Sequence, residues 1–259
     1  CIGADPWLPV MLSAFEIRSI VALVFLYATR MLGLFMVLPV LALYAGDYRG
    51  STTLYVGIAL GIYGLTQGLL QIPFGIASDR FGRKPMILLG TVLFLAGSVL
   101  AALADSIYLV VAGRALQGTG AVSAVIMALL ADLTREENRT KAMAAVGGSI
   151  GLAFAAAMIL GPLVASHWGL ASVFWLTATL AGIGILIVLF ALPAPVTRAG
   201  KEVIPIPAMF ARVWRDGELM RLNLGIYALH FAQMATWVSV PLVLEKTLGL
   251  SRDHHWWLY

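Results

Sequence analysis

Charged residues are scarce. Asp, Glu, Lys and Arg make up 12% of the 259 residues while 61% are hydrophobic, against roughly a quarter charged in ordinary soluble domains. A chain this poor in charge cannot cover itself with polar surface. With a mean hydropathy of +0.92 it reads as an integral membrane protein with several spanning helices, so the lipid bilayer is its first expected partner. Cysteine occurs once, at Cys1, which excludes an internal disulfide and a cysteine-based metal cluster. His-Glu-x-x-His, a His-rich box and Gly-x-Ser-x-Gly are all missing, so a membrane enzyme has poor support and neither cofactor nor metal is expected. The net charge of +4 does not indicate nucleic acid, because the cations lie in short loops instead of gathering on one face. No basic n-region precedes a short apolar core, so no signal peptide is visible. The first residue is Cys and not Met; the start is expected not to be native, with Met11 as a plausible true start and a lipid-bearing Cys1 as the alternative.

What is present is a series of about seven apolar runs, at 19–44, 54–76, 85–103, 106–131, 142–166, 171–192 and 222–244. The expected organisation is an N-terminal segment (1–18), a six-helix transmembrane domain (19–192), a linker (193–221) and a seventh helix opening a further domain (222–259). Of the 17 Lys and Arg residues, Arg30 and Arg114 lie inside spans. Arg49, Lys246 and Arg252 lie on one side of the membrane, and the remaining twelve on the other. The positive-inside rule makes that richer side, and the N-terminus with it, cytoplasmic. Within the linker, Ile206, Met209, Phe210, Val213 and Trp214 recur at helical spacing opposite Arg212, Arg215 and Asp216. This predicts an amphipathic helix in the headgroup layer that couples two halves of a larger bundle. At the end of the chain His254 and His255 adjoin Trp256 and Trp257, an interfacial belt without the further ligands that a metal site needs.

The chain is organised around the polar stretch Gly75-Ile76-Ala77-Ser78-Asp79-Arg80-Phe81-Gly82-Arg83-Lys84-Pro85 between two uncharged runs. It reads as a tight loop between the second and third spans, with Pro85 suited to a first helical turn. Asp79 and Arg83 form one unit, with Asp132 at the end of the fourth span as a second carboxylate. Their functional reading is a cytoplasmic gate that holds helix ends together; the bland reading is a solvated loop whose cations set topology, the role assigned to Arg80 and Lys84. Glycines 57, 61, 64 and 68 make a stripe on the second span, and Ala144, Gly148, Gly151 and Ala155 repeat it on the fifth, predicting close approach of a neighbouring backbone. Pro73 and Pro162, and the intramembrane Arg30 and Arg114, recur in the same way, as an inverted three-plus-three repeat would leave behind.

Arginine at membrane depth must face a polar cavity or a partner. Arg30 has no acidic neighbour on its own span and is expected to face substrate or an acid elsewhere, with a structural role as the alternative; Arg114, in Arg114-Ala115-Leu116-Gln117-Gly118-Thr119-Gly120-Ala121, faces a polar cavity or a partner or, in the alternative, is a structural arginine bonded to carbonyls near a helix end. Tyr63, Gln67 and Gln71 follow at i, i+4 and i+8, about a quarter turn from the glycine stripe, so one face should pack and the next line a path. Uncharged amides beside aromatics suit amphipathic substrates, although interhelical hydrogen bonds explain them nearly as well. His230 and Gln233 share one side of the seventh span, where a histidine can titrate near neutrality. No Asp or Glu occupies the middle of any span, so a proton carrier here would be His230, the Asp79/Asp132 pair or something beyond residue 259.

These motifs carry a resemblance. The stretch Gly-x-x-x-Asp-Arg-x-Gly-Arg-Lys-Pro resembles the signature loop between the second and third helices of the major facilitator superfamily, and Arg114-x-x-Gln117-Gly118-x-Gly120-Ala121 resembles that family's second signature. Arg30-Met31-Leu32-Gly33, Gly61-Ile62-Tyr63-Gly64-Leu65-Thr66-Gln67, Gln71-Ile72-Pro73-Phe74-Gly75 and Leu133 through Met143 look like its YajR-type drug:proton antiporters. The resemblance implies an all-α membrane fold, here a six-helix N-terminal bundle with linker helix and first helix of a second bundle. The chain would then be a fragment, stopping near Trp257-Leu258-Tyr259 as an eighth helix would begin and missing its C-terminal half and a partner helix for Asp79. It also implies a non-enzymatic secondary transporter of the inner membrane exporting amphipathic small molecules in exchange for protons. In that family the arginine at the position of Arg114 is associated with proton coupling. Gly161-Pro162 matches the antiporters' fifth helix, while Ala155, Ala156 and Ala157 stand where some of their glycines are expected. The alternatives are metabolite uptake or facilitated diffusion, and a non-transporting scaffold or sensor of the same fold.

Overall fold

The protein is described by a computed structural model over residues 12–193 and 206–250, without the side chains of 206–210, Leu242 and Lys246. Expectations for Cys1, Met11, Arg198, Lys201, Arg252, His254, His255, Trp256, Trp257 and the chain end fall outside the described residues, as do those for the side chains of Ile206, Met209, Phe210 and Lys246. Every described element is a helix or a turn of one apart from an isolated Arg49–Ser106 bridge, and six helical stretches are long and apolar enough to cross a bilayer.

Helix α1 (Ala14–Tyr44) starts at a capping box, in which the Glu16 amide donates to Ser13 Oγ and the Ser13 amide to the Glu16 carboxylate. Helix α2 (Thr53–Phe81) is capped by Thr52, and α3 (Arg83–Ala102) follows after the single residue Gly82. The signature stretch is therefore hardly a loop. Asp79 and Arg80 stand on the last turn of α2, Arg83 opens α3, and Gly82 makes the reversal at φ 97°, a conformation open to glycine without a Cβ clash. Hydropathy marks where lipid begins and not where a helix stops, which is why both helices outrun their apolar runs.

The fourth span is two helices, α4 (Ile107–Thr119) and α5 (Ser123–Leu133), broken at Gly120. The expected fifth and sixth spans form one helical run, α6 (Arg139–Leu186), interrupted at Gly169 with φ 78° and ψ 175°. Forty-eight residues of straight helix would reach about 72 Å, more than twice a bilayer core of about 30 Å. The run doubles back instead. Gly161 lies against the Met36 backbone, and Thr177, sixteen positions later, donates from Oγ1 to Gly33 O at 3.1 Å, so both arms pack on the same level of α1. A π-helical turn (Ile187–Ala191) ends the run, followed by α7 (Ile206–Arg215) and α8 (Gly217–Lys246). A helix thus forms where the amphipathic linker helix is expected, with Val213 and Trp214 exposed on it.

Two large apolar clusters fill the bundle, one around Leu23, Leu26, Ile126 and Leu129 and one around Met36, Leu41, Ile107 and Phe174, and a smaller third holds Tyr63, Phe94 and Ala181. Between them glycines let helices nearly touch. A Cβ on Gly97 or Gly113 would run into the other helix's backbone, one on Gly120 into Gly90 O, and one on Gly118 into Tyr63 O and Thr66 Oγ1. The stripe glycines 57, 61, 64 and 68 have nothing within 4 Å of a built Cβ, and Gly147, Gly148 and Gly151 are equally open, so among the described residues no backbone meets them. Helix α8 is largely exposed and lies against α1 and α2, with Trp237 and Val238 packed on the core and the Trp237 ring centroid 6.3 Å from that of Phe154.

Gly118→Ala should destabilise the purified protein by about 1–3 kcal/mol in thermal unfolding, because a backbone carbonyl blocks the new methyl. Gly182→Ala, with open space around its Cβ, should be neutral or slightly stabilising. Equal melting temperatures for the two variants would contradict the helix α2–α4 contact described above.

Candidate functional site

At the end of the bundle where α2 meets α3, one guanidinium ties two helices. Arg83 Nη2 lies 2.6 Å from Asp79 Oδ1, its Nε donates to Asp132 Oδ2 at 3.3 Å, and its Nη1 donates to Ser78 Oγ, which itself donates to Gly75 O at 2.6 Å. The side chain of Arg83 is 13% exposed, that of Asp132 23% and that of Asp79 62%. Asp132 is thus the better shielded partner, and Asp79 holds Arg83 at a solvent-facing edge where an ion pair is worth little. Ser78 was not singled out by sequence reasoning; its place next to Asp79 on a buried helix face was the only available signal.

Two further ties at this end were also missed. Glu16, 3% exposed, accepts from the Arg135 amide at 2.9 Å, from Arg135 Nε at 3.2 Å and from Nη2 at 3.0 Å, besides the Ser13 amide at 2.9 Å. The hydrogen bond to Glu16, and then its charge, hold the Arg135 guanidinium above its ordinary pKa. Arg135 is three residues from Asp132, so the start of α1 pins the segment that carries the clasp's acceptor. Lys84, expected only to set topology, donates to Leu189 O at 3.2 Å and Leu192 O at 2.9 Å, closing the last carbonyls of the sixth span. Arg80 Cζ lies 5.6 Å from the Phe81 ring centroid. At the opposite end Arg49 and Asp105 pair at 2.7 Å in full exposure.

Deeper in the bundle, Arg114 is 1% exposed. Its Nε donates to Ala59 O at 3.3 Å and its Nη1 to Gln117 Oε1 at 2.8 Å, and Gln117 Nε2 donates on to Ser98 Oγ at 2.7 Å. The Tyr63 ring covers the guanidinium, centroid to Cζ 4.8 Å. Arg30, 5% exposed, has the same kind of cover, with Phe94 at 4.7 Å, but a single acceptor, Gly120 O. Both arginines therefore lie between helices of this bundle and not on an open wall.

The remaining expected path residues are placed differently from one another. Tyr63 is buried with its hydroxyl lacking a partner among the described residues, Gln67 reaches Ser123 Oγ at 3.5 Å, and Gln71 is half-buried with Oε1 unpartnered. Among the described residues the polar face of α2 packs against α4 and α5, while no backbone approaches its glycine face. That assignment depended on neighbours the period could not supply. His230 and Gln233 are exposed on α8, the histidine Nδ1 lying 2.9 Å from Ile226 O of its own helix, and neither is brought to the arginines.

A helical bundle with several membrane-length helices, ion-paired helix ends and arginines at membrane depth belongs to the class of multi-span membrane proteins. Residues 23–258 match the Major Facilitator Superfamily, and the chain belongs to that family of transporters, whose members are not enzymes. It is 48% identical over 234 residues to the inner membrane transport protein YajR of Escherichia coli K12, covering 90% of this chain and 51% of that protein. It is 30% identical over 241 residues to the multidrug resistance protein MdtL of Escherichia fergusonii, covering 90% and 59%. The chain thus spans about half the length of the curated relatives it matches. A bacterial homologue of the human lysosomal transporter Spinster, inward-facing and occupied, shares the fold with a TM-score of 0.77 at 16% identity, over 96% of this chain and 58% of that one.

Glu16→Gln should lower the melting temperature of the purified protein, since its amide hydrogens would confront the N–H groups of Arg135. Glu218→Gln, which touches only an equally exposed Arg221, should leave it unchanged. A silent Glu16→Gln would remove Glu16 from the account of how this end is held.

Proposed function

We propose that the chain works as part of a secondary active transporter of the inner membrane, its N-terminus cytoplasmic, that exports amphipathic small molecules in exchange for protons by alternating access. The observation that carries this reading is the shared guanidinium: Arg83 holds Asp79 at the end of α2 and Asp132 at the end of α5 at once. One cation can serve both carboxylates only while those helix ends stay together, so the cluster favours one of two bundle arrangements and its rupture accompanies the other. Arg30, Tyr63, Gln67, Gln71, Arg114, Gln117, His230 and Gln233 are the groups through which substrate or protons pass or which shape that path. A second bundle of the same protein supplies the opposite wall. The names of YajR and MdtL, a transport and a drug-resistance protein, support the substrate class and membrane. The concentration of Lys and Arg at the loop end supports the orientation.

The test is flux of a fluorescent amphipath in proteoliposomes under an imposed pH gradient. Export against its gradient, driven by inward protons, is expected. Asp132→Asn should weaken the gate by about 1–3 kcal/mol, roughly tenfold in its open–closed balance, and slow export. Asp79→Asn should do less, because its carboxylate is mostly in water. Proton-driven accumulation in the opposite direction would end the export reading, and unchanged flux in both folded variants would end the gate.

A further inference from the structure

The Arg30 side chain is held but not satisfied. Its guanidinium donates to Gly120 O and lies on the Phe94 ring, yet Nε and Nη1 are fully enclosed and have no hydrogen-bond partner among the described residues. A cavity of about 10 Å³ adjoins it, lined by Thr29, Thr91, Phe94, Val122 and Ile126 among others, and no acidic residue borders it. That is room for one group the size of a water molecule. The two threonine hydroxyls give their protons to their own helices, Thr29 to Phe25 O at 2.9 Å and Thr91 to Ile87 O at 2.7 Å. They offer the cavity no donor that competes with the arginine. Val122 is the N-cap of α5 and Ile126 lies in its first turn, so the N-terminus of that helix, created by the break at Gly120, borders the same space.

A guanidinium left with two unpartnered nitrogens at membrane depth is expensive unless a polar or negative group enters. We infer that Arg30 and the N-terminus of α5 form a binding site for a compact anionic group: a halide ion, or one oxygen of a carboxylate carried by an amphipathic ligand. Phe94 covers one face of the guanidinium and Gly120 O holds Nη2, so the anion is met by Nε or by Nη1, which lie on different edges of the group and each offer it a charge-assisted donor. The break in the fourth span is part of the site, since a continuous helix would carry no free N-terminal amides at this depth. The carboxylate form of the site deepens the transport reading by naming the head group of its substrate; the halide form is independent of transport.

The test measures equilibrium binding to the purified protein in lipid nanodiscs, with no gradient, using radiolabelled chloride against a sulfate background. In a second arm dodecanoate or dodecanol competes with chloride. Saturable chloride uptake is expected, displaced by dodecanoate and not by dodecanol if the site takes a substrate carboxylate, and by neither if it is a halide site alone. Arg30→Gln should weaken binding about ten- to a hundredfold, the worth of a charge-assisted hydrogen bond, and Arg30→Lys should retain part of it. If Arg30→Gln does not fold, the wild-type titration and Arg30→Lys still decide. No saturable uptake of chloride or dodecanoate by the wild-type protein, which leaves the cavity to water, overturns the site, as does binding unchanged in folded Arg30→Gln. Binding that persists in a protein without proton-driven flux would refute the export reading alone, whereas flux without binding would refute the anion site alone.

Discussion

A guanidinium at membrane depth has to find its acceptors inside the bundle, and much of this architecture follows from that constraint. Lipid offers no hydrogen bond, so the carbonyls of Ala59 and Gly120, the Gln117 amide and the faces of Tyr63 and Phe94 must be carried to Arg114 and Arg30 by neighbouring helices. Ordinary helix spacing of 8–10 Å leaves little room for such contacts. Glycines close the gap: Gly90, Gly97, Gly113, Gly118 and Gly120 have no side chain where α2, α3 and α4 meet, and the break at Gly120 supplies the carbonyl that Arg30 uses. Close packing and charge solvation are one device here.

The loop end obeys a different balance. Water is near, so single ion pairs are weak, and the structure combines several small ties instead. Arg83 joins α2, α3 and α5; Glu16 joins the start of α1 to the segment after α5; Lys84 joins the start of α3 to the last carbonyls before the linker. All three reach within a few residues of the Gly82 reversal or of Asp132. Movement of any one helix end is therefore felt by the others.

The number of apolar runs, the helical class and the family were legible from composition and from two short motifs, because lipid imposes a minimum length and polarity on every span. So was the pairing of Asp79, Arg83 and Asp132, since a four-residue spacing and a carboxylate at a helix end are local facts. Helix ends were less legible: α2 runs to Phe81 and Gly82 alone makes the turn. Hydropathy cannot see a helix that projects beyond the lipid. Glu16 was invisible because its partner, Arg135, is 119 positions away and nothing local marks either residue.

The sequence alone settled that this chain lives in a membrane and that it belongs among the facilitators, because those follow from hydrophobic length and from residues close together in the chain. Only the tertiary structure decided which face of α2 packs, that Arg114 is answered while Arg30 keeps two donors bare, and that the fourth span breaks beside the latter. Those outcomes depend on which carbonyls and rings arrive from other helices, and the periodicity of one helix carries no record of its neighbours.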